Sequence, residues 1–222
     1  MLRKRTSLKM PTENLDETAR QILDAASRRF LHYGYGKTTM SEIAKDCNMS
    51  TGNLYRYFPS KLDIAEMFVH VLRREQVANL RSVLDRKDLK PREKLREFFV
   101  LKFKIAYERF HDKPKAYELS SELLGSRPKI ALEWENAEGR VLSEILLEGD
   151  AQGAFAVEDP PHTAKILLDA AYRFTSPAVF HEGEFDDLAT ELNGVIDLVL
   201  DGFSWRAARR DTDKSAAAGL SV

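Results

Sequence analysis

The chain has 222 residues, of which 43% are hydrophobic and 31% charged, and its formal net charge is −1. That apolar content suffices for one large core or two smaller ones and excludes a disordered chain. No eighteen-residue apolar run occurs, the basic start Arg3, Lys4, Arg5 leads into no apolar stretch, and the single cysteine, Cys47, can close no internal disulfide, so a membrane span, a secretory leader and a disulfide framework are all excluded and a reducing cytoplasm is the expected setting.

The near-neutral total hides an asymmetry. Residues 1–61 hold eleven Lys or Arg against six Asp or Glu, a balance of about +5, which leaves about −6 on the rest. A basic head on an acidic body is the pattern expected when only the head meets a polyanion. Residues 1–14 are polar and without period, a flexible basic arm. Ala19, Ile22, Leu23, Ala26 and Phe30 then follow the i, i+3, i+4, i+7, i+11 spacing of one buried helix face. Gly34-Tyr35-Gly36 stops that helix.

A second, short helix opens at Thr39, whose side chain and that of Glu42 can form a capping box. Met40, Ile43, Ala44 and Cys47 form its inner face, and Asn48-Met49 supplies a tight turn. Ser50 caps a third helix, Thr51–Phe58, with Leu54 and Phe58 facing inward and Pro59 ending it. Ser60 and Asp63 open a fourth helix reaching about Leu84, roughly 36 Å long at 1.5 Å per residue. Beyond Pro91 every segment reads as helix: about 91–110, a short one from Pro114, one from Pro128 to about Glu148, then Thr163 to about Phe180 and Asp186 to about Arg206. A loop is expected at Gly149–Pro161 and a disordered tail at 208–222. The fold class is all-α, with a reader domain over 15–61 and a second helical domain over 62–207.

Residues 39–58 therefore give helix, turn, helix behind a supporting helix, the layout of a helix-turn-helix whose second helix enters the DNA major groove. Once Leu54 and Phe58 are turned inward, the other positions of that helix are nearly all hydrogen-bonding or small. Tyr55 and Tyr57 can donate to phosphates, and Arg56 can reach a phosphate or a guanine edge. The stretches Thr38-Thr39-Met40-Ser41-Glu42-Ile43-Ala44 and Ser50-Thr51-Gly52-Asn53-Leu54-Tyr55-Arg56-Tyr57-Phe58-Pro59-Ser60-Lys61 together resemble the DNA-binding domain of the tetracycline-repressor (TetR) family, over about residues 17–65. The resemblance implies a homodimeric, all-helical regulator whose C-terminal domain binds a small-molecule effector and releases an operator. It implies a DNA-binding set of Thr38, Thr39, Ser50, Thr51, Gly52, Asn53, Tyr55, Arg56, Tyr57 and Lys61. Within it Thr39 meets phosphate at a helix start, Thr51, Gly52 and Asn53 lie nearest the bases, and Tyr55, Tyr57 and Lys61 grip the backbone. Cys47 and Asn48 stand where the family commonly has alanine and glycine, and Tyr57 where it often has histidine.

Behind the reader, Phe99, Phe103, Tyr107, Tyr117, Trp134, Tyr172 and Phe174 are the candidates to line an apolar effector pocket between helices. The last two helices carry apolar faces that include Ile166, Leu167 and Ala170 on one and Leu192, Ile196, Val199 and Phe203 on the other, suited to a four-helix bundle between two subunits. The five histidines show neither His-x-x-x-His nor His-Glu-x-x-His spacing, and no phosphate loop, nucleophile elbow or carboxylate pair presents itself. Neither a metal, a cofactor nor an enzymatic activity is therefore expected. The rival readings are an interaction protein scaffolded on DNA, an all-α enzyme with an incidental helix-turn-helix, and an activator in place of a repressor.

Overall fold

The computed structural model describes residues 15–181 and 183–219, with side chains as far as Phe203 apart from that of His181. The basic arm at 1–14 and the last three residues lie outside the described part. Nine α-helices follow one another, α1 (Glu17–Tyr33), α2 (Met40–Asp46), α3 (Thr51–Tyr57), α4 (Lys61–Arg81), α5 (Pro91–Phe110), α6 (Pro114–Ser126), α7 (Lys129–Ala151), α8 (Pro160–Ala170) and α9 (Phe185–Gly219), and no strand occurs among the described residues. The all-α reading holds.

Local chemistry explains most boundaries. Asp16 accepts from the Ala19 amide at 2.7 Å to start α1, and Gly34, at φ 97°, closes it by donating to the Phe30 carbonyl. Pro91, Pro114 and Pro160 each open a helix, at the position where a missing N–H costs nothing.

Two stretches differ from the sequence expectation. The helix expected over 163–180 ends at Ala170 and continues as two 3₁₀ turns, Tyr172–Thr175 and Pro177–His181. Pro177 has no N–H to donate into a continuing α-ladder. Helix α9 runs on to Gly219, where the helix is expected to end near Arg206 and a disordered tail to cover 208–222. The segment loses its apolar period there, but alanines and arginines keep a strong intrinsic helix propensity.

The chain forms two compact units. One contains the described residues up to Glu75 together with Lys113–Ile130; the other contains Gln76–Asp112 and the described residues from Ala131 onward. The first unit is thus assembled from two stretches of chain with residues 76–112 between them.

In the first unit, Ile22, Ala26, Phe30, Ile43, Leu54, Phe58 and Ile64 are almost wholly buried in one cluster, which Leu119 of α6 joins at 3% exposure. Helix α6 packs on α1. Its C-cap residue Arg127 ion-pairs with the buried carboxylates of Asp63, at 2.5 Å, and Glu66 on α4.

In the second unit, α5 packs on α9 and on both 3₁₀ turns. A polar chain crosses α4, α5 and α7. Arg109 donates to Gln76 at 2.9 Å, Gln76 to Glu138 at 2.7 Å, and Lys102 pairs with Glu138 at 2.8 Å. Phe155 lies against Gly149 so closely that a Cβ there would fall 2.0 Å from its ring.

Leu119 gives a direct test of the discontinuous unit. Leu119→Ala is expected to cost about 2–5 kcal/mol by leaving a cavity among α1 and α4 residues. Denaturant unfolding checks this; a loss below 1 kcal/mol would mean that α6 is dispensable to that core.

Candidate DNA-reading surface

Helices α2 and α3 have seven residues each, too short to persist in water alone. Their ends are therefore capped and their inner faces buried. The Thr39 hydroxyl accepts from the Glu42 amide at 3.3 Å while Glu42 accepts from the Thr39 amide at 2.9 Å, completing the capping box. The Thr39 hydroxyl, which donates to the Glu42 carboxylate at 2.8 Å, and then the Thr39 amide pull that carboxyl below the usual glutamate range. Asn48 takes φ 53°, and the Met49 amide returns to the Ala44 carbonyl at 3.0 Å, making the tight turn. Ser50 accepts from the Asn53 amide at 3.1 Å to start α3. Leu54 and Phe58 point into the core as their spacing predicts.

Arg29 of α1 ties α2 down. Its guanidinium bonds Asp46 at 2.5 and 3.0 Å and approaches Glu42 at 3.3 Å, a fork geometry that a lysine cannot match. The hydrogen bonds from Arg29 hold the Asp46 carboxyl below its usual range.

The turn between α1 and α2 is also fixed. The Thr38 hydroxyl donates to the Gly34 carbonyl at 2.9 Å, and the Gly36 amide donates to Glu118 at 3.0 Å. Lys61 donates to the Tyr35 and Thr38 carbonyls at 2.6 and 2.8 Å, and burial pushes its ammonium below the ordinary lysine value. The bond from the Gly36 amide likewise lowers the Glu118 carboxyl.

With these supports in place, Thr39, Ser50, Gly52, Tyr55 and Arg56 are exposed, and Thr51, Asn53 and Tyr57 are half-buried. They share one α2–turn–α3 segment. Two members of the sequence-derived set are placed otherwise: Thr38 is 2% exposed, its hydroxyl turned inward, and the Lys61 ammonium is occupied by two carbonyls. Arg29 and Glu118 were not singled out in the sequence, where their partners stand 17 and 82 positions away and no local pattern marks them.

The pocket candidates are distributed over both units. Phe103 and Tyr107 join Phe180 and Phe185 in an aromatic cluster with ring centroids 5.1 to 6.3 Å apart. Trp134 and Phe174 are buried in the same unit, Tyr172 is exposed, and Tyr117 belongs to the first unit. Phe99 lines an open apolar groove with Leu95, Leu167, Ala170, Leu192 and Ile196. Of the interface candidates, Leu167, Leu192, Ile196 and Phe203 are largely buried within the chain itself. Ile166 and Ala170 are exposed and Val199 is half-buried. Leu198, absent from that set, is 77% exposed. Among the described residues no helix is long and apolar enough to cross a membrane, and no three potential ligands cluster to hold a metal.

Comparison with known proteins divides the chain in sequence order. A model of bacterial regulatory proteins of the tetR family matches residues 22–67, and a model of a tetracyclin repressor-like C-terminal domain matches residues 91–196. The transcriptional repressor KstR2 of Mycobacterium tuberculosis is 26% identical over 156 residues, covering 69% of this chain and 74% of that protein. The transcriptional regulator HbdR of an Aromatoleum species is 42% identical over 50 residues, 22% of each chain. The solved structure of the fatty acid degradation regulator FadR from Bacillus halodurans is similar with TM-score 0.62 at 22% identity, over 84% of this chain and 96% of that one. A transcriptional regulator from Cytophaga hutchinsonii is similar with TM-score 0.68 at 21% identity, over 85% of this chain and all of that one.

The depressed carboxyls generate a pH dependence. Glu42, Asp46 and Glu118 ionise more readily when folded, so their stabilisation is fully present above their ordinary values of 4.5, 3.8 and 4.5. It is lost as pH falls through the lower folded values. Denaturant midpoints taken from pH 6 down to pH 3 are expected to fall, and the fall should be shallower in Glu118→Gln; identical slopes in the two proteins would discard the assignment for Glu118.

Proposed function

The chain belongs to the tetracycline-repressor (TetR) family of bacterial helix-turn-helix transcriptional regulators, and from that premise we propose a homodimeric repressor that an effector releases from a two-fold-symmetric operator. The observation that carries this reading is the polar outer face of α3 on its buried seat. Thr51, Gly52 and Asn53 stand at its N-terminal end, the end that faces base edges in this motif. Tyr55, Arg56 and Tyr57 follow as donors for phosphate. Gly52 has open space around its Cβ position apart from the Ser50 hydroxyl at 3.9 Å, so its missing side chain serves close approach to a partner, not packing within the chain.

One seven-residue helix covers few base pairs. Two readers about 34 Å apart double the contacts and impose symmetry on the site. The dimer face proposed here is the exposed side of α8 and α9. Ile166 and Leu198 are 51% and 77% exposed, and Gly194 and Gly202, one turn either side of Leu198, have nothing within 4 Å of a Cβ position. The adjacent groove encloses only about 20 Å³, far below the roughly 300–1,000 Å³ of a ligand pocket, which favours a packing surface over an effector site there.

The effector reading rests on Phe103 and Tyr107 with their aromatic partners, and on the domain match. FadR is described by its name as a regulator of fatty acid degradation, and KstR2 as a ketosteroid regulator. An apolar, lipid-derived effector would match the chemistry of the aromatic cluster, and binding would shift the population toward a dimer geometry that no longer spans both half-sites.

Selection of bound sequences from random duplex DNA tests the reading. A two-fold-symmetric site is expected; salt-sensitive binding without an enriched site would favour the DNA-scaffold alternative. On the recovered site, Tyr55→Ala should weaken all sequences alike, whereas Asn53→Ala should relax base preference at one position per half-site by about 1–3 kcal/mol. Leu198→Glu should shift sedimentation toward monomer while leaving the helical circular dichroism spectrum intact, with a lower melting temperature from the lost association, and an unshifted dimer would move the interface elsewhere.

A further inference from the structure

We infer that Arg29 is a positioning residue for DNA reading: by clamping the last residue of α2 to α1, it sets the angle at which the N-terminal end of α3 meets the bases. The inference rests on the DNA-reading function and adds to it a residue that stands outside the contact set.

Burial alone does not fix the rotation of α2. Its buried side chains are Met40, Ile43 and Ala44, and apolar contact is non-directional, so it holds the helix down without setting its angle. The bonds that Arg29 makes are directional. Its side chain, 18% exposed, donates to both carboxylate oxygens of Asp46, at 2.5 and 3.0 Å, and stands 3.3 Å from Glu42 one turn earlier. One α1 side chain thus reaches the first turn and the last residue of a seven-residue helix. The Tyr33 ring lies against the same group, its centroid 5.7 Å from the guanidinium carbon. Cys47 adds a second tie to α1, its thiol donating to the Gln21 carbonyl at 3.7 Å.

An acid at position 46 is unfavourable on two counts. It closes α2, where the helix dipole presents its negative end, and it lowers the positive charge of a domain that must attract a polyanion. The Arg29 fork offsets these costs and makes the carboxylate an anchor. What the anchor fixes follows from the chain. Asp46 leads into the turn Cys47-Asn48-Met49, and Ser50 then caps α3. The Met49 amide bonds back to the Ala44 carbonyl at 3.0 Å and α2 packs on α3, so the two short helices move as one piece. A rotation of α2 on its seat therefore displaces Thr51, Gly52 and Asn53. Hydrogen bonds to base edges tolerate such a shift less than the charge attraction to phosphates does.

Two substitutions separate positioning from charge. Arg29→Lys keeps the charge and loses the fork. Asp46→Asn removes a negative charge from the reader, which by attraction alone should tighten binding to any duplex. Wild type, both single variants and the double variant are titrated at one near-physiological salt, on the duplex recovered by selection and on a scrambled duplex of equal length. Circular dichroism confirms that each variant is folded. Arg29→Lys is expected to bind the selected duplex about tenfold more weakly and the scrambled one as wild type does. Asp46→Asn should also weaken selected binding, against the electrostatic direction. The double variant should lose about as much as either single one, because both changes remove the same interaction. Unchanged selected affinity in Arg29→Lys, or tighter selected binding in Asp46→Asn, would overturn the inference. Equal losses on the two duplexes, or losses that add in the double variant, would overturn it as well. Should the lysine variant not fold, Asp46→Asn decides alone by the same signs. Wild type without preference for the selected duplex would instead remove the DNA-reading function on which the inference stands.

Discussion

Helices of seven residues cannot pay their own nucleation cost in water, and this chain needs two of them, α2 and α3, to stand at a fixed angle with their outer faces bare. Everything in the first unit serves that constraint. Burial of Ile43, Leu54 and Phe58 supplies the seat. Capping at Thr39 and Ser50 satisfies the amides that helix starts leave over. The Arg29 fork joins α2 to the long α1. The outer face can then remain polar and half empty, because no stabilising contact is asked of it.

The chain also buries charge where an apolar core would do as well for stability. Arg127 with Asp63 and Glu66 in one unit, and Lys102 with Glu138 and Gln76 in the other, are groups withdrawn from water at considerable desolvation cost. Such pairs add little net stability, but their bonds are met in one arrangement and unmet in any shifted one. In a protein whose output is a geometry, that discrimination between near-identical packings matters more than the depth of the well.

Legibility from sequence followed the range of the interaction. The capping boxes, the Asn48 turn, the inward pair Leu54 and Phe58 and the proline-opened helices all rest on partners within four or five positions, and the sequence displays them. The outward set on α3 was legible by subtraction once the inward residues were known. The pairing of Arg29 with Asp46 and of Glu118 with Gly36 was not, since it depends on which faces meet after folding. The same holds for Leu167, Leu192, Ile196 and Phe203, whose helical spacing announces an apolar face without saying whether this chain or a second copy covers it. Thr38 and Lys61 show the converse limit. A residue type suited to phosphate can be occupied by the backbone of its own chain.

The interrupted make-up of the first unit has a consequence in time as well as space. Leu119 and Arg127 complete a core whose other members lie before Glu75, so a ribosome that has released α1 to α4 has not yet released the means to finish them. Roughly 130 residues must emerge, with the intervening α5 waiting meanwhile, before this unit can close. During synthesis at about 5–20 residues per second, the nascent reader spends seconds with the Leu119 seat uncovered, and the order of translation leaves the DNA-reading end of the molecule exposed to chaperones or to misassociation until α6 arrives.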